Sequence, residues 1–146
     1  MIPMAKKILV VDDEPHLVRL IQVNLERAGY EVVTAKDGKV ALEQVEAEKP
    51  DLVVLDITLP DIDGFKVFYN LRENPTTREL HVILLTAKFS TMDYFPDYFP
   101  WQKGSKMDFA YLMKPFNPME LISFIKGIFA AQDGADSENS GGYAIG

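Results

Sequence analysis

Asp12, Asp13 and Glu14 follow directly on the apolar run Ile8-Leu9-Val10-Val11, with no basic residue among them. Carboxylates held this close raise one another's cost of ionisation, so such a cluster favours a bound cation. Acids also suit the first turn of a helix, and Pro15 is well placed to open one. The chain further on decides between these readings. Leu52-Val53-Val54-Leu55 ends on Asp56, Val82-Ile83-Leu84-Leu85 ends on Thr86, and Tyr111-Leu112-Met113 ends on Lys114. In a parallel α/β sheet the strand C-termini share one edge, where ligands bind. Acids, a hydroxyl and an amine gathered on that edge suit a divalent cation and a phosphoryl group.

The elements that must position them alternate along the chain. After the Ile8–Val11 strand, Leu17, Leu20, Ile21, Leu25 and Ala28 recur at helical spacing up to Gly29. Glu31 to Ala35 reads as a strand, and Val40, Ala41, Leu42, Val45 and Ala47 as the next helix. Phe65 to Arg72 is helical in pattern, and Asn74-Pro75 breaks it. Pro118 opens a last helix carrying Leu121, Ile122, Phe124, Ile125, Ile128 and Phe129. The connections are too long for hairpins and contain helices, which predicts a parallel sheet.

Composition narrows the function classes. A chain of 146 residues, 47% hydrophobic and 25% charged, fits one globular domain with a sizeable core. Of the net charge of −7, three acids (Asp133, Asp136 and Glu138) lie after Gln132, which leaves a body of −4. There is no clustered basic footprint for nucleic acid. Cysteine is absent, which excludes disulfides and thiolate metal sites. No apolar run approaches the ~20 residues of a membrane span, and the expected location is the cytoplasm. His16 and His81 lack a second histidine at ligand spacing and are assigned to no metal.

With these strand ends in place, the chain resembles the receiver domain of two-component response regulators. The resemblance covers residues 5 to about 130. It rests on Val11-Asp12-Asp13-Glu14-Pro15, Asp56-Ile57-Thr58-Leu59-Pro60-Asp61-Ile62-Asp63-Gly64, Leu85-Thr86-Ala87 and Tyr111-Leu112-Met113-Lys114-Pro115-Phe116, in that order. It implies a doubly wound (βα)5 parallel sheet of flavodoxin-like order 2-1-3-4-5, and an aspartate that accepts a phosphoryl group from a histidine kinase or phosphotransfer protein. By position Asp56 is the acceptor. Asp13 and Asp56 would ligate Mg²⁺ (or Mn²⁺) directly, with Asp12 acting through water and the Thr58 carbonyl as a further ligand. Lys114 would pair with the phosphoryl oxygens. Thr86 would bond them through its hydroxyl beside the Ala87 N–H, and Tyr111 would be the aromatic that follows Thr86 in the switch. A cis peptide bond is implied at Lys114-Pro115.

The residue types make chemical sense on their own. A carboxylate is a weak nucleophile, so phosphoryl transfer depends on positioning and on neutralising charge at the equatorial oxygens. Mg²⁺ takes oxygen ligands in an octahedron and keeps waters, which suits carboxylates and a carbonyl. Lys114 supplies a compact ammonium. The competing reading is a Mg²⁺-dependent phosphatase of the haloacid-dehalogenase type, which also phosphorylates an aspartate. That family places a second Asp two residues after the nucleophile, where this chain has Thr58. A receiver that works without phosphorylation is expected to have lost an acid or the lysine, and all are present here. The expected partners are therefore a sensor kinase or phosphotransfer protein, and a downstream protein or an output domain. The sequence leaves open whether the chain is a whole protein or part of a larger regulator.

Two stretches depart from the pattern. Lys114 lies 28 positions after Thr86, several more than is usual in receivers, and Lys106-Met107-Asp108-Phe109-Ala110 replaces the usual Gly-Ala-Asp. Within this stretch Asp93-Tyr94-Phe95-Pro96 is repeated as Asp97-Tyr98-Phe99-Pro100 before Trp101, and its prolines oppose a continuous helix. An atypical fourth-helix region is expected over residues 89–108, whose aromatic residues either pack back on the sheet or bind a partner. The Asp93–Trp101 stretch is expected to be mobile in the unphosphorylated state and to be the surface a partner reads. The second stretch is the tail, DGADSENSGGYAIG. The domain is expected to span 1–130, and residues 131–146 to form a disordered acidic, Gly- and Ser-rich tail.

Overall fold

A computed structural model describes residues 5–59, 64–86, 110–133 and 143–145. The order of elements is β1 (Lys7–Val11), α1 (Pro15–Arg27), β2 (Glu31–Ala35), α2 (Gly38–Glu48), β3 (Leu52–Asp56), α3 (Gly64–Glu73), β4 (His81–Thr86), β5 (Ala110–Met113), α4 (Pro118–Asp133) and β6 (Tyr143–Ile145). Five strands run parallel, as the connections predict, in the order 2-1-3-4-5 that the resemblance implies, and β6 adds to the outer edge of β5.

Strand alternation divides the core into two layers. Leu9, Val11, Val53, Leu55, Val82 and Leu84 face Ala41 and Val45 of α2 and Phe65, Val67, Phe68 and Leu71 of α3. Ile8, Val10, Leu52, Val54, Ile83, Leu85, Ala110 and Leu112 face Ile21 and Leu25 of α1 and Leu121, Ile122, Phe124, Ile125, Ile128 and Phe129 of α4. Both faces are covered, so β1, β3 and β4 read as continuous apolar runs. Each fully buried Leu or Ile in these layers contributes about 1.5–3 kcal/mol relative to exposure.

Local chemistry sets the helix ends. Pro15 begins α1, and Gly29 follows it at φ 98°, a left-handed conformation that glycine adopts without a side-chain penalty. The Asp37 carboxylate caps α2 by accepting the Val40 N–H at 2.9 Å. Lys7 anchors the opposite end of the sheet. Its ammonium lies 3.1 Å from Glu48 and 3.4 Å from Glu31, and its backbone N–H donates to Asp51 at 2.8 Å.

Helix α4 continues past residue 130 to Asp133, and residues 143–145 pair as a strand inside the segment expected to be disordered. This strand pairs on the outer edge of β5, and its Tyr and Ile are strand-favouring types. The aromatic stretch 89–108 lies outside the described residues.

Candidate functional site

The C-terminal ends of β1, β3, β4 and β5 bring the sequence-selected residues together. At β1 the Asp12 N–H donates to the Ala35 carbonyl at 3.1 Å, which extends the ladder one residue beyond the strand. The Asp12 carboxylate then turns back on its own loop, where Oδ1 accepts the Glu14 N–H at 3.0 Å. Asp56 repeats the device, with Oδ1 accepting the Thr58 N–H at 3.0 Å. These Asx-type bonds fix one oxygen of each carboxylate and aim the other inward. Both inward oxygens meet Lys114, whose Nζ lies 2.9 Å from Asp12 Oδ2 and 3.4 Å from Asp56 Oδ2.

Burial makes the arrangement electrostatically demanding. Asp12 is 1% exposed and Asp56 3%, while Asp13 stands at the surface. Oxygens of the three carboxylates all lie within 4.8 Å of one another, the one such group of potential metal ligands among the described residues. Burial pushes the Asp56 carboxyl up to about 6 from 3.8, and the Asp12 charge adds to this against the opposing pull of the Thr58 N–H and Lys114. Burial also lowers Lys114, but its hydrogen bond to Asp12 and the charges of Asp56 and Asp12 outweigh that and hold the ammonium above its ordinary value. Three acids facing one amine leave a negative excess. An all-oxygen donor set open to solvent on the Asp13 side fits a hard divalent cation.

Thr86 ends β4 fully buried, and its carbonyl accepts the Lys114 N–H at 2.7 Å. Tyr111 is half-buried against the α2/α3 layer and lies opposite Leu84 in the parallel register. Leu84 and Thr86 are two residues apart on one strand, so Thr86 and Tyr111 share a face of the sheet. The Lys114-Pro115 bond is cis. Ala87 lies outside the described residues. His16 is exposed and His81 starts β4, and neither joins the carboxylate group.

The site is not the largest hollow among the described residues. A concavity of about 1080 Å³ lies between α2 and α3 at the opposite end of the sheet, floored by Leu42, Val45, Leu71 and Leu80. Asp12 and Asp13 open instead on a hollow of about 280 Å³ rimmed by Pro15, Arg19, Gln22 and Lys36. Chemistry, not size, marks the site. Sequence reasoning missed the packing role of Gly64, which lies against the Asp56 and Ile57 backbone. The Asp63-Gly64 pair after Pro60 signals a turn, but nothing in it reveals that contact.

The doubly wound, flavodoxin-like sheet thus carries three acids and one lysine on a single edge. Residues 8–126 match the response regulator receiver domain, and the chain belongs to that family. It is 45% identical over 125 residues to the alkaline phosphatase synthesis transcriptional regulatory protein PhoP of Bacillus subtilis, covering 86% of this chain and 49% of that protein. The chain spans about half the length of the curated relatives it matches. Among solved structures it is similar to the response regulator TrrA of Thermotoga maritima in complex with Mg²⁺–BeF, with 35% identity, a TM-score of 0.70, and coverage of 84% of this chain and 98% of that one. A CheY-like response regulator receiver domain protein from Methanospirillum hungatei gives 28% identity, a TM-score of 0.74, and coverage of 91% and 100%.

Proposed function

We propose that the chain is a phosphorylation-controlled switch in which Asp56 accepts a phosphoryl group from a sensor histidine kinase or a phosphotransfer protein. The carrying observation is Lys114 set between Asp12 and Asp56, 2.9 and 3.4 Å from their inward oxygens. An Asp56 oxygen forms the new bond to phosphorus as the bond from phosphorus to the donor's imidazole nitrogen breaks. The electron pair leaves with the imidazole, and the product is an acyl phosphate. With its carboxyl at about 6, Asp56 is mostly ionised at neutral pH, the form that attacks. Lys114 stays charged and moves its pairing to the phosphoryl oxygens.

Asp13 and Asp56 directly, Asp12 through water and the Thr58 carbonyl would hold Mg²⁺, with Mn²⁺ an acceptable substitute. When bound, the ion neutralises charge on the equatorial oxygens. The complex of TrrA with Mg²⁺–BeF supports this reading. Thr86 then turns its hydroxyl to the phosphoryl group beside the Ala87 N–H, and Tyr111, on the same face, follows. Hydrolysis of the acyl phosphate resets the switch, so the chain is a signalling element rather than a turnover enzyme. Its readers are a downstream protein or an output domain, in line with relatives twice its length that are named as transcriptional regulators. We assign this chain itself no nucleic-acid or membrane contact. Among the described residues no helix is long and apolar enough to cross a membrane.

Acetyl phosphate labelling tests the assignment. The wild-type chain accumulates one acid-stable, base-labile phosphoryl group on the Asp56 peptide, and Asp56→Asn accumulates none. Label on Asp12 or Asp13 in the variant overturns the site. Steady turnover of acetyl phosphate without accumulation favours the phosphatase reading instead.

A further inference from the structure

Beyond the acceptor site, the structure holds a strand that the fivefold alternation does not require. Tyr143–Ile145 runs parallel to β5, with Tyr143 opposite Ala110, Ala144 opposite Tyr111 and Ile145 opposite Leu112. We propose that the outer edge of β5 is a strand-addition site, that the chain fills it in cis with residues 143–145, and that filling it is linked to the state of the Asp56 centre. The last clause rests on the phosphoacceptor reading above.

The first argument is the edge. β5 spends one side on β4, and its other side would otherwise offer unpaired backbone groups to any extended chain. The second is connectivity. From β5 the chain passes through α4, which packs on the α1 layer, and returns to pair parallel with β5, the form of a βαβ unit. The third is composition. Residues 133–142 are acids, Gly, Ser, Ala and Asn, and the Tyr-Ala-Ile run follows Gly141-Gly142 and precedes Gly146. Tyr143 and Ile145 are strand-favouring types, unlike the acids, Gly and Asn before them.

The link to the acceptor follows from register. Tyr111 pairs with Leu84 on one side and Ala144 on the other, so any displacement of its backbone is felt by both neighbours. Two residues on, Met113 lies opposite Thr86, and the Lys114 N–H donates to the Thr86 carbonyl. The Lys114 ammonium closes the path at Asp12 and Asp56. A strand of three residues has little pairing to lose and belongs to the low-stability end of the fold, so it can leave and return. Linkage is reciprocal: a centre that alters seating of the strand is altered by it to the same degree.

Because the chain has no cysteine, Ala110→Cys with Tyr143→Cys reports seating directly. Paired parallel strands lie roughly 4.8 Å apart, within disulfide reach. Mild oxidation of the full chain at low concentration is expected to give an intramolecular disulfide. No disulfide overturns the strand site, and disulfide-linked dimers overturn the cis assignment in favour of a second copy. Amide exchange on unsubstituted protein guards against misfolding of the double variant. The β5 amides facing the outer edge should exchange roughly three- to tenfold faster in a chain ending at Asp133 than in the full chain, and equal exchange also overturns the site. Titration with beryllofluoride and Mg²⁺ tests the link. The two lengths should differ several-fold in apparent affinity, and equal affinities overturn linkage. Failure of both to bind overturns the phosphoacceptor reading, while the disulfide still reports the strand site.

Discussion

Gly64 packs against the backbone of Asp56 so closely that a methyl group there would overlap the Asp56 carbonyl oxygen and the Ile57 Cα. The Gly64 N–H also donates to the Ile57 carbonyl at 3.1 Å. The start of α3 is thereby clamped to the end of β3, and Asp56 sits in the clamp. Gly64→Ala must push backbone from backbone, since no flexible side-chain tip is there to yield. The expected cost is about 1–3 kcal/mol, read as a lowered unfolding midpoint in urea. Labelling of Asp56 by acetyl phosphate should slow as well. An unchanged midpoint would mean that α3 can shift outward freely.

Asp56 gives the apo protein a pH signature. Its carboxyl sits at about 6 in the fold against 3.8 ordinarily, so the fold favours the neutral form. The stabilisation is therefore fully present below about 3.8 and is lost as the pH rises through about 6. At neutral pH the folded chain bears an ionised Asp56 at a cost of order 2–3 kcal/mol. Asp56→Asn does not titrate. In chelator its stability advantage over wild type should be small near pH 4, grow through pH 6 and level off above pH 7. Paired denaturation curves across that range check it, and a pH-independent difference would show that the acid cluster leaves Asp56 unstrained.

Much of this was legible before the fold. Apolar runs that end on Asp56, Thr86 and Lys114 announced both the parallel sheet and its chemical edge, because burial on both faces erases strand alternation and leaves chemistry only at the ends. The Asx-type bonds to Glu14 and Thr58 were not legible, since a backbone N–H leaves no mark on residue type. Nor was the closeness of Gly64 to Asp56, which depends on how α3 lies against β3. Strand β6 escaped for another reason: three apolar residues among glycines and acids carry too little periodicity to predict a strand. Only an open neighbouring edge gives them somewhere to pair.

Asp13 separates the charge of the cluster from its packing, because it is exposed while Asp12 and Asp56 are buried. Removing it relieves repulsion without emptying the core. Asp13→Ala should melt a few degrees above wild type in chelator. In excess Mg²⁺ the order should reverse or close, because under the proposed assignment the ion would stabilise the wild-type site by mass action and the variant would lack a ligand. Melting curves with chelator and with Mg²⁺ give the comparison. Equal melting in chelator would mean that Lys114 already balances the acids.

Thr86 and Tyr111 allow the proposed switch to be cut without touching Asp56. Thr86 is fully buried at the end of β4, and its carbonyl, which holds the Lys114 N–H, survives any side-chain change. Thr86→Val keeps the strand and the volume but removes the hydroxyl, so the variant should still take label on Asp56. Rearrangement at Tyr111 should then fail, because nothing draws residue 86 toward the phosphoryl group and the space it would vacate stays filled. Ring resonances of Tyr111, with and without beryllofluoride and Mg²⁺, distinguish the two. A wild-type shift that is at least halved in Thr86→Val, at equal labelling, supports transmission through the shared face of β4 and β5. A full shift in the variant would route the signal around Thr86, and loss of labelling would place the hydroxyl in the transfer step itself.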